Sequence, residues 1–152
     1  MNIQRASIKD AERILEIQKL AYICQAEIYN DYTIPPLTET IDELIKDFDT
    51  KAIFKATFDN KVVGSIRATL DCDSCYIGRL SIHPDYQNKG IGTALIDIVE
   101  STFDHCVRFE LFTGHKSENN IRLYERLGYK IFKTEKHDEN TNIVYLEKYM
   151  RR

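Results

Sequence analysis

Apolar positions along the chain recur in two rhythms, and the switches between them lay out most of the elements. A period near 3.6 marks helices that bury one face, and a period of two marks half-buried strands. Residues 3–6 alternate enough for an edge strand. Ser7-Ile8-Lys9-Asp10 then resembles a capping box, and Ile14, Ile17, Ala21, Cys24 and Ile28 fall at helical spacing. Pro35-Pro36 stops any helix, so Asn30 to Thr38 reads as loop, after which Thr40-Ile41-Asp42-Glu43 caps a second, short helix with Leu44, Ile45 and Phe48 on one side. Ala52 to Phe58 and Val62 to Leu70 are strand-like and joined by Asp59-Asn60-Lys61, which predicts a hairpin.

Tyr76 to Ile82 continues the sheet. A proline break and the loop Gln87-Asn88-Lys89-Gly90-Ile91-Gly92 lead into a third helix that turns Ile91, Leu95, Ile98, Val99 and Phe103 inward. Val107 to Thr113 returns as a strand, so strand, helix, strand implies a right-handed parallel crossover. A fourth helix carries Ile121, Tyr124 and Leu127 on one face and stops at Gly128. Lys130 to Lys133 and Ile143 to Lys148 read as a final strand pair around the polar turn Asp138-Glu139-Asn140. The pattern predicts a mixed α/β domain spanning residues 1–152, without linker, repeat or low-complexity tract.

Composition narrows the partners. The net charge of −3 has both signs interspersed, and apart from Arg151-Arg152 there is no basic footprint, so nucleic acid is not expected as a partner. No apolar run is long enough to span a membrane, and the first residues lack a secretory apolar segment, which leads us to expect a cytoplasmic protein. Cys72-Asp73-Ser74-Cys75 has the C-x-x-C form but neither a second pair nor histidines at ligand spacing. Incidental thiols therefore rank ahead of zinc or redox use, and no metal is expected.

The loop after Ile82 carries the most chemistry. Amides in a first helical turn lack internal partners, the helix dipole adds partial positive charge, and glycines let a bulky anion approach the main chain. Those properties suit a phosphate-bearing cofactor. The spacing Q-x-x-G-x-G is neither of the two familiar nucleotide fingerprints, however, and glycine pairs before helices also serve as plain turns. Tyr32, in the loop before the sheet, is a candidate for the wall of a substrate pocket, although loops are more often connections.

About thirty residues beyond that loop stands Asn119-Asn120-Ile121-Arg122-Leu123-Tyr124-Glu125-Arg126-Leu127-Gly128-Tyr129. The pairing of these segments resembles the GNAT superfamily of N-acetyltransferases, which join Q/R-x-x-G-x-G/A to a downstream LYE-x-LGY or LYE-x-LGF. The resemblance spans essentially the whole chain and is strongest from Leu80 to Tyr129. It implies a GNAT-like fold of about six to seven strands, with a splayed parallel central pair and about four helices. It also implies acetyl-CoA as cofactor, with the pyrophosphate on the amides of Gln87, Asn88, Lys89, Gly90, Ile91, Gly92 and Thr93. The pantetheine arm then runs along Leu80, Ser81 and Ile82, with Asn120 and Tyr124 as further contacts. The implied reaction is transfer of an acetyl group to a primary amine of a small molecule or peptide, by direct attack through a tetrahedral intermediate. A catalytically silent acetyl-CoA sensor or partner-binding module is the alternative, and the resemblance leaves open whether the protein forms a homodimer.

Three chemical roles follow from that reaction. Tyr124 matches the family's candidate acid, although a phenol near 10 is a poor proton donor to a thiolate near 8.5, and its spacing also fits a core aromatic. A backbone N–H near Ser81 or Ile82 is the expected oxyanion donor. The base is harder to place, because Cys75-Tyr76-Ile77-Gly78-Arg79 has no acid where some relatives carry one. Glu110, in an apolar strand, and Glu27, late in the first helix, are the candidates, each weighed against an ordinary solvated or paired acid. Arg79 is placed either as a partner of Glu110, itself a substrate-site candidate, or as the receiver of a substrate carboxylate. Ser117 replaces an asparagine that many relatives carry, and its hydroxyl suits an N-cap.

Overall fold

The computed structural model describes residues 1–150, so Arg151 and Arg152 lie outside it. Seven strands form one sheet: β1 (Asn2–Arg5), β2 (Ala52–Phe58), β3 (Lys61–Asp71), β4 (Ser74–Ile82), β5 (Arg108–Gly114), β6 (Lys130–Asp138) and β7 (Thr141–Tyr149). Their spatial order is β1-β2-β3-β4-β5-β7-β6, and every neighbouring pair is antiparallel except β4 and β5. The helices are α1 (Ala11–Tyr29), α2 (Pro35–Thr38), α3 (Ile41–Thr50), α4 (Ile91–Thr102) and α5 (Glu118–Arg126).

Successive strand residues point to opposite faces, so each strand feeds two layers. On one face α1 packs over β3 and β4, and α1 with α3 closes a small core around Ile14, Leu44 and Ile53. On the other, α4 lies across β1 to β4 over the main core of Ile66, Ala68, Ile77, Leu95, Val99 and Phe109, joined by Tyr124 and Tyr129. A buried polar cluster ties this core to the end of the sheet. Glu100 of α4 accepts from the Tyr129 hydroxyl at 2.7 Å and from Lys148 Nζ at 2.9 Å. Burial and the bond to Glu100 push the Tyr129 phenol far up, so it stays a donor.

The α/β class, mixed sheet and parallel central pair agree with the sequence pattern, while three elements differ from it. Pro35–Thr38 is a single helical turn rather than loop. Proline at a first helical position has no amide to satisfy and a φ already set, so this pair starts a turn instead of stopping one. β6 runs to Asp138, well past Lys133. Its nine residues are all exposed, so no burial alternation marks it. The second half of α1 departs from the core: Ile14 and Ile17 are buried, but Cys24 and Ile28 are exposed at the edge of a cleft. Of the C-x-x-C thiols, Cys72 is exposed in the β3–β4 turn at φ 56°, whereas Cys75 is buried and pushed up to about 12 by burial.

Candidate functional site

β4 and β5 pair only from Ser74 opposite Arg108 to Tyr76 opposite Glu110. Beyond Tyr76 the two strands diverge, so Ile77 to Ile82 and Leu111 to Gly114 turn unpaired main-chain edges toward each other. Edges of this kind accept an extended ligand as an additional strand. The carboxyl ends of parallel strands are also where ligands bind in open α/β sheets.

A cleft of about 450 Å³ opens from this gap. Ala21, Tyr22, Gln25 and Ile28 of α1 form one wall, with Cys24 at its edge. Asn119, Asn120, Leu123 and Arg126 of α5 form the other, and Leu80 and Ile82 line the floor. Tyr86, Gln87, Asn88, Gly90, Ile91, Gly92 and Thr93 close one end.

That closed end holds the densest run of free donors. No amide from Gln87 to Thr93 donates to another described residue, and the first in α4 to do so is Ala94, to the Gly90 carbonyl at 3.1 Å. Asn88 and Gly90 both take positive φ, 61° and 79°, which turns successive N–H groups inward as a nest. Glycine suits the second position because a side chain is strained in that conformation. His83 braces the approach, its Nδ1 accepting from the Asp85 amide at 3.1 Å. These free donors, with the open β4 edge beside them, fit a phosphate-bearing cofactor whose remaining arm is extended.

Tyr22 of α1 lines the cleft, and Tyr124 of α5 lies near enough for the two phenols to influence each other. Tyr124 is buried, yet its hydroxyl makes no hydrogen bond to any described residue. Burial, reinforced by nearby Tyr22, pushes its phenol well above the ordinary tyrosine range. Tyr22 is half-buried, and burial raises it too, partly offset by the positive charges of Arg79 and Arg67.

The remaining sequence-predicted residues scatter. Ser81 is buried, its hydroxyl donating to the Arg79 carbonyl at 3.1 Å, and Lys89 is exposed beside the cleft without lining it. Asn120 lines the cleft, its amide 3.4 Å from Thr113 Oγ1. Tyr32 is exposed and does not line the cleft. Glu27 is exposed and points away from α1's cleft-lining face, so the position proposed for a base lies outside the cleft. Glu110 pairs with Arg108 at 2.5 Å on the sheet face opposite Phe109 and Leu111, so the expected pairing of Arg79 with Glu110 is replaced by one of Arg79 with Glu39. The signal for the pair of Arg108 and Glu110 was in the sequence, since residues two apart on a strand share a face.

Ser117 stands at the N-cap of α5, but its hydroxyl makes no capping bond. Its hydroxyl is drawn instead to Gln25 Oε1 and to the Tyr29 hydroxyl, the latter at 2.7 Å, which fastens the start of α5 to the end of α1. The Tyr29 hydroxyl also receives the Lys116 amide at 3.0 Å, and the phenol lies so close over Gly114 that a Cβ there would overlap it. Sequence reasoning missed Tyr22, Gln25 and Arg126 as cleft residues. For α1 the signal was its spacing, because Ala21, Gln25 and Ile28 share one helical face.

A mixed sheet split at a parallel pair, with a nest of free amides at the split, defines a class that binds an extended, phosphate-bearing ligand. A family model for the acetyltransferase (GNAT) family matches residues 12–129, and the chain belongs to that family. It is 28% identical over 134 residues to the UPF0157 protein YqkA of Bacillus subtilis, an alignment covering 88% of this chain and only 38% of that protein. The fold is similar to PaiA N-acetyltransferase from Thermoplasma acidophilum in complex with coenzyme A: TM-score 0.81 and 18% identity, covering 99% and 100% of the two chains. It is also similar to YncA, a putative acetyltransferase from Salmonella typhimurium with its cofactor acetyl-CoA, at TM-score 0.80 and 16% identity over 100% and 95%. Among the described residues no group of three or more His, Cys, Asp or Glu side chains could hold a metal, and no helix is long and apolar enough to cross a membrane.

Proposed function

We propose that residues 1–152 act as one acetyltransferase domain that moves an acetyl group from acetyl-CoA to a primary amine of a small molecule or peptide. The observation that carries this reading is the run of unpartnered amides from Gln87 to Thr93 beside the open edge of β4. Two fold neighbours hold coenzyme A or acetyl-CoA, which supports the same cofactor here. When bound, acetyl-CoA supplies the acetyl group already activated as a thioester. The amides of residues 87–93 are suited to hold its pyrophosphate, and the free backbone of Leu80 to Ile82 its amide-bearing arm. A β4 amide near Ser81 or Ile82 faces the gap and suits the oxyanion.

Tyr124, next to the cleft-lining Leu123 on α5, carries a hydroxyl with no hydrogen bond to any described residue. Because burial raises its phenol even further above a thiol, complete proton transfer to a departing thiolate is more uphill than for a solvated tyrosine. Its role is therefore hydrogen-bond donation that steadies the developing negative charge, with the proton arriving from the acceptor ammonium through water. None of the cleft-lining side chains is a carboxylate or an imidazole, which favours water as the immediate base.

The same lack of a lining base supports a second reading, a silent acetyl-CoA-binding module. Calorimetric titration with acetyl-CoA, followed by thiol-release assays on an amine panel, separates them. Saturable binding with release on at least one amine is expected. Binding without release on any amine selects the silent module, and no heat of binding overturns both.

A further inference from the structure

Two arginines approach Glu39, and they are treated unequally. Arg67, only 3% exposed, donates to Glu39 Oε1 and Oε2 at 2.8 and 2.9 Å, to Asp47 at 2.8 Å and to Gln18 Oε1 at 2.6 Å. Gln18 Nε2 adds another bond to Glu39 Oε1 at 2.8 Å. Glu39 is thus committed to Arg67 and Gln18. Arg79 reaches it only at 3.7 Å through Nε, with no hydrogen bond. Its Nε is sealed from solvent and unpartnered, while Nη1 and Nη2 make no bond to any described residue on a side chain that is 27% exposed. The sealed Nε–H carries a desolvation cost, one that the equally unpartnered Nε of Arg67 shares, and the Nη groups of Arg79 are left to water or a ligand.

Local charge points the same way. Arg67, Arg79 and Lys51 face Glu39 and Asp47, three cations against two anions, so the cluster carries one positive charge in excess. The backbone sets Arg79 apart as well. From Arg67 opposite Gly78 to Ser65 opposite Ser81, β4 takes three steps where β3 takes two. Arg79 sits in that bulge at φ 51°, and bulges re-aim a side chain. Its neighbour Leu80 and nearby Tyr22 both line the cleft. Arg79 itself does not line it, but it lies on the stretch of β4 left unpaired with β5, well before the amide nest that begins at Gln87.

We infer that Arg79 selects acceptors carrying a carboxylate near the amine, the outer edge of the guanidinium receiving the two oxygens as a fork. Planar two-point matching is what arginine offers to a carboxylate and lysine does not. The inference rests on the amine-acetylating reading above and narrows its acceptor class to amino acids and chemically similar acids.

The test compares paired acceptors, lysine with cadaverine and phenylalanine with phenethylamine, by thiol release in the wild type, Arg79→Gln and Arg79→Lys. In the wild type kcat/KM is expected to favour the carboxylated member of a pair by at least about tenfold. In Arg79→Gln the preference collapses, with kcat/KM for the plain amine within about twofold and acetyl-CoA affinity unchanged; Arg79→Lys keeps only part of it. Equal wild-type rates within pairs overturn the inference while leaving acetyl transfer standing. So does an Arg79→Gln loss that is the same for both members, which marks a merely structural role, or a loss of acetyl-CoA affinity. Release on no amine overturns the acetyltransferase reading and this inference with it. If Arg79→Gln does not fold, the wild-type preference and its reduction in Arg79→Lys decide.

Discussion

On one side of β4 the Arg67 cluster is nearly saturated, with Glu39, Gln18 and Asp47 taking up both Nη groups of Arg67 and only its Nε left without a partner. At the end of the same strand, seven consecutive amides from Gln87 to Thr93 and the hydroxyl of Tyr124 use none of theirs within the described chain. Both regions are polar, but the Arg67 cluster is buried, whereas Gln87 to Gly90 lie exposed at the cleft end. The difference lies in what completes them. A saturated cluster is finished by the fold and holds α1, α2 and α3 against β3, whereas an unsaturated one is finished by something that arrives.

The sharpest way to break this contrast is Arg67→Ala. Removing one partner of a buried network strands the others, and a loss of about 3–5 kcal/mol in the denaturation midpoint analysis is expected. A loss below about 1 kcal/mol would mean the cluster is not the brace described. Tyr124→Phe tests the opposite region. It removes only a hydroxyl with no internal bond, so stability and acetyl-CoA affinity should barely move while kcat falls about 100-fold. Unchanged turnover removes Tyr124 from the reaction.

Glu39 sharpens the comparison through pH. Burial opposes its ionisation, but hydrogen bonds from Arg67 and Gln18 and the charges of Arg67 and Arg79 outweigh that and lower it from 4.5 to about 2. A carboxylate depressed in the folded state stabilises above its unfolded pKa and loses that contribution as pH falls toward the folded one. Stability should therefore drop between about pH 4.5 and 2, on the order of 2–3 kcal/mol, and urea titrations of Glu39→Gln should lack that segment. The smallest effect belongs to Ser117→Ala, which leaves Gln25 and Tyr29 without a shared partner and should cost about 1 kcal/mol.

How much of this was legible in the sequence depends on the range over which each signal acts. The amide nest was readable because two glycines, a proline break and a following amphipathic helix all sit within one short segment. Tyr124 was readable only through its motif, since its spacing also fits a core aromatic, and in the structure it is buried among core residues. The Arg67 cluster was invisible. Gln18, Glu39 and Arg67 come from three elements far apart in sequence, and no local pattern announces their meeting. The partner of Glu110 was readable but uncounted: an acid inside an apolar strand looks costly until Arg108, two residues back on the same face, is included. The continuation of β6 past Lys133 escaped for a different reason: fully exposed on both faces, it lacks the alternation that betrays a half-buried strand.

The fastening of Tyr29 and Gln25 to Ser117, over a Gly114 that leaves room for the ring, joins the two walls at one end like a pin through a hinge. The distance between α1 and α5 at that point is thereby set by side chains rather than by the sheet beneath them, so Gln25, Tyr29 and Ser117 are the positions whose replacement would alter the width of the slot.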